Sequence, residues 1–120
     1  MLKFYDCATA PSPRRARMVI AEKRVEVDTV EVDLRAGEHF SAEFQAINPR
    51  CTVPVLISEE GEALCDNAAI ARYLEALYPD PPLLGTTPLD QARTAEWIWR
   101  VETDGLMAIM EVLRNTSKAM

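Results

Sequence analysis

The spacing of apolar and polar residues predicts strands and helices in alternation along residues 1–79. Four short segments have the β-branched content or the strict alternation of strands: residues 2–5, 25–34, 55–57 and 63–65. Three segments have helical spacing, namely a helix that starts at Ser12-Pro13 and buries Ala16, Val19 and Ile20, a short helix capped by Ser41, and a helix capped by Asp66 or Asn67. A Glu60-Gly61 turn joins the last two strands into a hairpin.

The order of these elements, β-α-β-α-β-β-α, predicts an α/β domain with a mixed four-stranded sheet, which is the layout of a thioredoxin-like fold. A proline-rich segment follows, and a long helical pattern begins at Pro88, with Trp97 and Leu113 among its apolar positions. We therefore expect a thioredoxin-like domain over residues 1–79, a linker over 80–86, and the first part of an all-helical domain over 87–120.

Composition narrows the class of protein. The 120 residues are 48% hydrophobic and 27% charged, which is typical of a soluble globular chain. The net charge of −6 argues against a nucleic-acid or anionic-membrane binder, and no apolar run approaches the length of a membrane span. The three cysteines form neither a CxxC pair nor a zinc pattern, so we expect no disulfide scaffold, no metal, and a reducing, cytoplasmic setting.

One segment conflicts with its own pattern. CTVPVLI, residues 51–57, has the content of a buried strand but carries Pro54, which removes a donor from the hydrogen-bond ladder. A cis Val53–Pro54 bond would turn the chain sharply before the strand begins. Such a turn would leave the backbone N–H and C=O of Val53 facing outward, where they can pair with another molecule.

Four segments resemble the cytosolic glutathione transferases. INPRCTVPVL resembles the family signature NP-x-G-x-VP-x-L, and CDNAAIARYLEALYP resembles ESxAIxxYLxxxYP. PRRARMVIAEK is similar to the first helix of the family, and AEWIWRVETDGLM is similar to the start of its second domain. The resemblance implies a thioredoxin-like domain followed by a helical domain, glutathione as co-substrate, and a homodimer.

The resemblance also implies where glutathione binds. The backbone of Val53, next to Pro54, would pair with the cysteinyl unit as an extended peptide pairs with a sheet edge. Asp66 would hold the γ-glutamyl ammonium. Asn67, which stands at the serine of the family, would hold the γ-glutamyl carboxylate together with the helix N-terminus.

The other end of glutathione is assigned to His39, because AGEHF resembles the DGEH stretch of some classes. Thr52 and Arg50 would lie beside the same glycyl end, where an arginine can pair with a carboxylate. Each assignment has a structural alternative, since a lone histidine is often solvated and a residue that precedes a helix often only caps it.

The catalytic position is where the sequence departs from the family. Many members carry S-P-N-A-R-R-V-R, and alignment on the double arginine puts Ala10 at the serine. Three ways of using the glutathione thiol stay open: Ser12 or Thr9 donates to the thiolate, or Cys7 forms a mixed disulfide. Ser12 and Thr9 rank level, ahead of Cys7. Cys51 stands at the glycine of the family signature.

The function that follows is glutathione transferase activity, in which a glutathione thiolate is conjugated to a small electrophile. The alternatives are a glutathione-dependent peroxidase or thiol transferase, and a non-catalytic binding or interaction protein with the same fold. The helical domain of the family continues well beyond residue 120. We therefore expect either a fragment of a longer protein or neighbouring chains that cover the apolar stripe of the long helix.

Overall fold

The secondary structure follows the predicted order β-α-β-α-β-β-α in a computed structural model that describes residues 1–116. The strands are β1 (Leu2–Asp6), β2 (Val27–Glu31), β3 (Val55–Ile57) and β4 (Ala63–Leu64). The helices are α1 (Arg14–Glu22), α2 (Ala42–Ile47), α3 (Asn67–Leu77), α4 (Pro88–Arg100) and α5 (Met107–Thr116), with a 3-10 turn at Glu38–Phe40 and a π-helical segment at Val101–Leu106. Residues 117–120 of the predicted helical domain lie outside the described residues.

The strands form one mixed sheet in the order β2-β1-β3-β4, as the thioredoxin-like prediction requires. β1 runs parallel to β2 and antiparallel to β3, with Tyr5 opposite Val55. β4 closes a hairpin on β3, with Leu56 opposite Leu64. Because β1 and β3 are the two central strands and run in opposite directions, the loop that leaves β1 and the residues that enter β3 meet at one end of the sheet.

The core lies on both faces of the sheet. α1 and α3 contribute to one buried cluster, which consists of Leu2, Phe4, Ala16, Ile20, Val25, Leu56, Ile70 and Leu74. α2 contributes to a second buried cluster, which consists of Cys7, Val32, Phe44, Val53 and Val55. Successive residues of a strand point to opposite faces, so Val55 and Leu56 enter different clusters. Burial on both faces explains why β3 is apolar throughout.

The start of α1 differs from the prediction. Ser12 is not the N-cap, because the helix begins at Arg14 and Pro13 occupies the cap position without a side-chain hydrogen bond. Pro13 already has helical dihedral angles, with φ −74° and ψ −11°, and the carbonyl of Pro11 accepts from the N–H of Arg14 at 3.3 Å. A backbone hydrogen bond in the turn before α1 therefore replaces the serine cap that the sequence pattern predicts.

The second strand begins later than predicted, because Val25 takes part in the turn that closes α1. The N–H of Val25 donates to the carbonyl of Ile20 at 3.0 Å, and Arg24 has a left-handed φ of 54°. This combination closes the last turn of a helix. The alternating pattern begins at Val25, but pairing with β1 begins only at Val27.

The predicted caps of two other helices are confirmed. The Oγ of Ser41 accepts from the N–H of Phe44 at 3.2 Å at the start of α2. Asp66, rather than Asn67, caps α3, and its Oδ1 accepts from the N–H of Ala69 at 2.8 Å.

Lys23 is a buried cation that joins the end of α1 to the end of α3. Its side chain has 0% exposure and forms an ion pair with Glu75. Its Nζ also donates to the carbonyl oxygens of Tyr78 and Pro81, each at 2.7 Å. A buried ammonium is tolerated when it is paired and its protons are bonded, so these contacts stabilise the segment that follows α3.

The chain divides into two compact units, one of residues Met1–Pro81 and one that begins at Pro82. In the second unit, Thr87 caps α4, and α4, the π-helical segment and α5 occupy the region where one long helix is predicted. Many of its apolar side chains are exposed: Leu89, Trp97, Trp99, Val101, Leu106, Met107, Ile109 and Val112. Across residues 1–116, no helix has both the length and the apolar content needed to cross a bilayer.

Candidate functional site

The entrance to β3 lies beside the loop that follows β1. The Val53–Pro54 peptide bond at this entrance is cis, and Val53 is 7% exposed. Within residues 1–116, no hydrogen bond is formed by the backbone N–H or C=O of Val53. Buried backbone groups are nearly always paired, so this unpaired donor and acceptor can serve a ligand that lies along the strand entrance.

Asn48 organises the chain that leads to Val53. Its side chain is buried, and its Nδ2 donates to the carbonyl oxygen and the Oγ1 of Thr52 at 2.9 and 3.0 Å. Its Oδ1 accepts from the N–H of Arg50 at 3.0 Å. One buried amide therefore fixes residues 50–52. The sequence pattern indicates only a helix stop at Asn48, although the Asn-Pro pair that opens the family signature is the signal that could have suggested this role.

Cys51 has a left-handed backbone conformation, with φ 55°. An L residue with a side chain pays roughly 1 kcal/mol for this conformation, whereas glycine adopts it freely. The resemblance places a glycine at this position, so the backbone keeps the conformation that a glycine would favour. The sulfur of Cys51 lies 3.6 Å from the carbonyl oxygen of Pro49.

The start of α3 combines an anionic side chain with the partial positive charge of a helix N-terminus. Asp66 is exposed, and one of its oxygens caps the helix through Ala69. Its second oxygen leaves capacity for a further donor. The first turn of an 11-residue helix also carries backbone N–H groups with partial positive charge. A group that bears both an ammonium and a carboxylate fits this pair of opposite charges.

Asn67 connects the start of α3 to the loop between β1 and α1. Its Nδ2 donates to the carbonyl oxygen of Ser12 at 3.0 Å. Its Oδ1 is buried and has no hydrogen-bond partner among residues 1–116. The resemblance assigns the donor of Asn67 to a ligand carboxylate, but this donor, Nδ2, already has a partner within the chain. The atom of the side chain that has no partner is the acceptor Oδ1.

The loop between β1 and α1 is held at its other end by Arg17. The Nη1 of Arg17 donates to Oδ1 of the buried Asp6 at 2.6 Å and to the carbonyl oxygen of Cys7 at 3.2 Å. The Oγ1 of Thr9 lies 3.6 Å from the sulfur of Cys7. Thr9 and Ser12 are both exposed, and Ser12 is not engaged as a helix cap. Two hydroxyl groups are therefore presented by a loop whose ends are fixed.

The two cysteines near this loop are poor candidates for a reactive thiolate. Cys7 is 5% exposed and packs in the second cluster. Burial raises the pKa of the Cys65 thiol, the negative charge of Asp66 raises it further, and Arg50 partly opposes both effects. A raised pKa keeps Cys65 a thiol at neutral pH, which agrees with its expected role as a small apolar residue.

His39 lies in the 3-10 turn that packs against α2. Its ring is tilted on the ring of Phe40, with centroids 3.9 Å apart. Its Nδ1 is buried and has no hydrogen-bond partner in the part of the chain that the structure describes. α2 also carries Phe44, which packs in the same cluster as Val53, so the helix connects the histidine turn to the strand entrance.

The structure links several of the expected site residues. Cys7, Ala10 and Val53 share the second cluster, which joins the loop to the strand entrance. The hydrogen bond from Asn67 to Ser12 joins the start of α3 to the same loop. Three separate parts of the sequence thus meet at one end of the sheet. They carry the unpaired backbone N–H and C=O of Val53, the carboxylate of Asp66 beside a helix N-terminus, and the hydroxyl groups of Thr9 and Ser12.

Known proteins resemble this chain over the same region. The family described as glutathione S-transferase, N-terminal domain, matches residues 9–77. Over 90 residues the chain is 40% identical to Glutathione S-transferase 2 of Saccharomyces cerevisiae, which covers 73% of this chain and 39% of that protein. It is 38% identical over 94 residues to maleylacetoacetate isomerase of Pseudomonas aeruginosa, with 77% of this chain and 44% of that protein covered.

A solved structure extends the comparison to a liganded protein. The crystal structure of a glutathione transferase homolog from sulfitobacter with bound glutathione matches with a TM-score of 0.78 and 25% identity, over 86% of this chain and 49% of that chain. The chain spans less than half the length of these three proteins. The family match includes the β1–α1 loop from Thr9, the entrance to β3 and all of α3. The chain belongs to the glutathione S-transferase family.

Proposed function

We propose that the chain binds glutathione in an extended form beside Val53 and activates its thiol for transfer to an electrophile. The observation that carries the proposal is the backbone of Val53, whose N–H and C=O have no partner among residues 1–116. An extended peptide pairs with such groups as an added strand does, with one N–H···O bond in each direction. The cysteinyl unit of glutathione has the matching acceptor and donor.

The γ-glutamyl end would lie at the start of α3. The exposed carboxylate of Asp66 would pair with the ammonium, and the backbone N–H groups of the first turn would bind the carboxylate. The buried Oδ1 of Asn67 would add an acceptor for the ammonium. This orientation puts the two charged groups of the ligand next to groups of opposite charge.

The glycyl end would lie near His39 and Thr52. The buried Nδ1 of His39 is unpaired among the described residues and is suited to a polar ligand. Thr52 is exposed and precedes Val53 directly, and Arg50 is an exposed cation on the same turn. A guanidinium pairs well with a terminal carboxylate.

Ser12 and Thr9 are the proposed donors to the glutathione thiolate. A free thiol titrates near 8.5, and a charge-assisted hydrogen bond contributes about 1.5–3 kcal/mol, which lowers the pKa by about one to two units. The thiolate sulfur would then attack the electrophilic carbon, form the carbon–sulfur bond, and release a leaving group with its electron pair. Thiol transfer through Cys7 has less support because Cys7 is buried.

The properties of the whole protein are proposed by analogy with the family. We propose a cytoplasmic homodimer that acts on glutathione and a small electrophile, with no nucleic acid, membrane or metal as a partner. Among residues 1–116, no group of three or more His, Cys, Asp or Glu side chains is arranged to hold a metal ion. The relative from Pseudomonas aeruginosa is named maleylacetoacetate isomerase, so a glutathione-dependent isomerisation is the first alternative reaction to test.

Retention on immobilised glutathione, followed by a conjugation assay with an aromatic halide, tests the proposal. We expect the chain to be retained, to elute with free glutathione and to form the conjugate. Failure of retention would contradict the proposed site, whereas retention without product would favour the non-catalytic alternative. Thr9→Ala and Ser12→Ala should each raise the pKa seen in the pH–rate profile. A profile unmoved by both changes together would assign activation to backbone N–H groups.

A further inference from the structure

We propose that Asn67 is a positioning residue for the loop that activates the glutathione thiol, an inference that rests on the proposed function. Two side chains from different helices hold this loop. Arg17 of α1 donates to the carbonyl of Cys7 at 3.2 Å, and Asn67 of α3 donates to the carbonyl of Ser12 at 3.0 Å. Both candidate hydroxyl groups, on Thr9 and Ser12, lie within the stretch that these two contacts fix.

The length of the asparagine side chain makes the second contact possible. In asparagine the donor is carried on Cγ, whereas the serine expected from the resemblance carries its hydroxyl directly on Cβ. A serine at position 67 would therefore fall short of the Ser12 carbonyl unless the backbone moved. The contact is a property of this chain rather than one that follows from the family signature.

The same amide connects the loop to the ligand. Its Oδ1 is buried and unpartnered among residues 1–116, while its Nδ2 bonds to Ser12. Because the amide is planar, a ligand donor that binds Oδ1 also fixes the direction of Nδ2. Occupation of the γ-glutamyl position would in this way hold the carbonyl of Ser12 in place. Stabilisation of a thiolate depends on donors that are fixed before the charge develops.

Titration of the glutathione thiolate in the complex, followed by its ultraviolet absorbance, tests this role. Asn67→Ser removes the donor to Ser12 and restores a family-like hydroxyl, and Asn67→Asp keeps the shape but removes the donor. Below the thiol pKa, we expect each variant to reduce the thiolate fraction about fivefold, the size of effect expected for one net hydrogen bond. Arg72→Gln, an exposed change on the same helix, is the matched control.

Amide hydrogen exchange on the ligand-free chain measures the contact itself. The N–H groups of Ala10 and Arg14 donate to the carbonyls of Cys7 and Pro11 in this loop. In Asn67→Ser, these two amides should exchange about fivefold faster than in the wild-type chain, while the amides in the core of α3 should not change. If both Asn67 variants leave the thiolate signal of the wild-type chain unchanged, the proposed role of Asn67 is wrong. The same holds if they leave the exchange of the loop amides unchanged. Neither result would contradict the proposed function. Absence of a thiolate signal in the wild-type chain would overturn the proposed function together with the role of Asn67.

Discussion

Replacement of Asp66 separates ligand binding from helix capping. One oxygen of Asp66 accepts from the N–H of Ala69 at 2.8 Å and caps α3. Asparagine is as good an N-cap as aspartate, so Asp66→Asn keeps the cap and removes the charge. Asp66→Ala removes both the cap and the charge. A comparison of the two variants therefore assigns each effect to one of the two roles.

The expected magnitudes differ between the two measurements. Loss of an N-cap costs about 1 kcal/mol, so Asp66→Ala should lower the free energy of unfolding by that amount, and Asp66→Asn should leave it within about 0.5 kcal/mol. A hydrogen bond to a charged group contributes about 1.5–3 kcal/mol, and 1.4 kcal/mol is tenfold in affinity. Because Asp66 is exposed, the lower end applies. Both variants should bind glutathione about tenfold more weakly.

Calorimetry with two ligands makes the test specific. Glutaryl-cysteinyl-glycine has the structure of glutathione without the γ-glutamyl amino group. It should bind the wild-type chain about tenfold more weakly than glutathione does, and most of this preference should be lost in Asp66→Asn. Urea denaturation of the same variants measures the cap. If Asp66→Asn kept the wild-type affinity, or kept the preference for the amino group, the assignment of the ammonium to Asp66 would be wrong.

Three further predictions test the energetics around the site. Lys23→Met should lower the free energy of unfolding by about 3 kcal/mol because it removes a buried cation that bonds to a half-buried carboxylate and to two carbonyl oxygens. The exposed Lys3→Met should change the free energy of unfolding by less than about 0.5 kcal/mol. Similar urea midpoints for the two variants would contradict this. Cys51→Gly should raise the free energy of unfolding by about 0.5–1 kcal/mol, because glycine adopts the left-handed φ of this position without strain. Cys51→Ser should not raise it. Equal unfolding curves for the two variants would show that this conformation is not strained. Alkylation of Cys65 at neutral pH should be slower than that of a free cysteine, since burial and then Asp66 raise its pKa, and it should accelerate in Asp66→Asn and as the pH rises. The same alkylation rate before and after that substitution would exclude the influence of the Asp66 charge.

The sequence predicts those elements whose stabilisation is local. The cap of α2 by Ser41 needs only the N–H of Phe44, three residues away, and the pattern identified it. β3 is predicted with its observed bounds because both of its faces are apolar. The prediction of Ser12 as the N-cap of α1 is wrong because a Ser-Pro pair can begin either a helix or the turn before one. The backbone angles of Pro13 decide between the two.

Contacts between distant residues could not be predicted from pattern. Asn67 and Ser12 are 55 residues apart, and nothing in the spacing of either residue indicates that they meet. The burial of Lys23 depends on partners 52 to 58 residues away, and a lysine at the end of an amphipathic helix is normally read as solvated. The resemblance predicts which positions would face glutathione, but the direction of each donor depends on the tertiary structure.

Lys23 also sets the minimal length of an N-terminal fragment suitable for ligand studies. Its ammonium reaches past the end of α3 to the carbonyls of Tyr78 and Pro81. A truncation after Leu77, the last residue of α3, would leave this cation with only Glu75. A fragment that ends after Pro81 retains all three acceptors of the Lys23 ammonium. If residues 1–81 are excised, or fused to the helical part of another family member, the chain is therefore best cut beyond that proline.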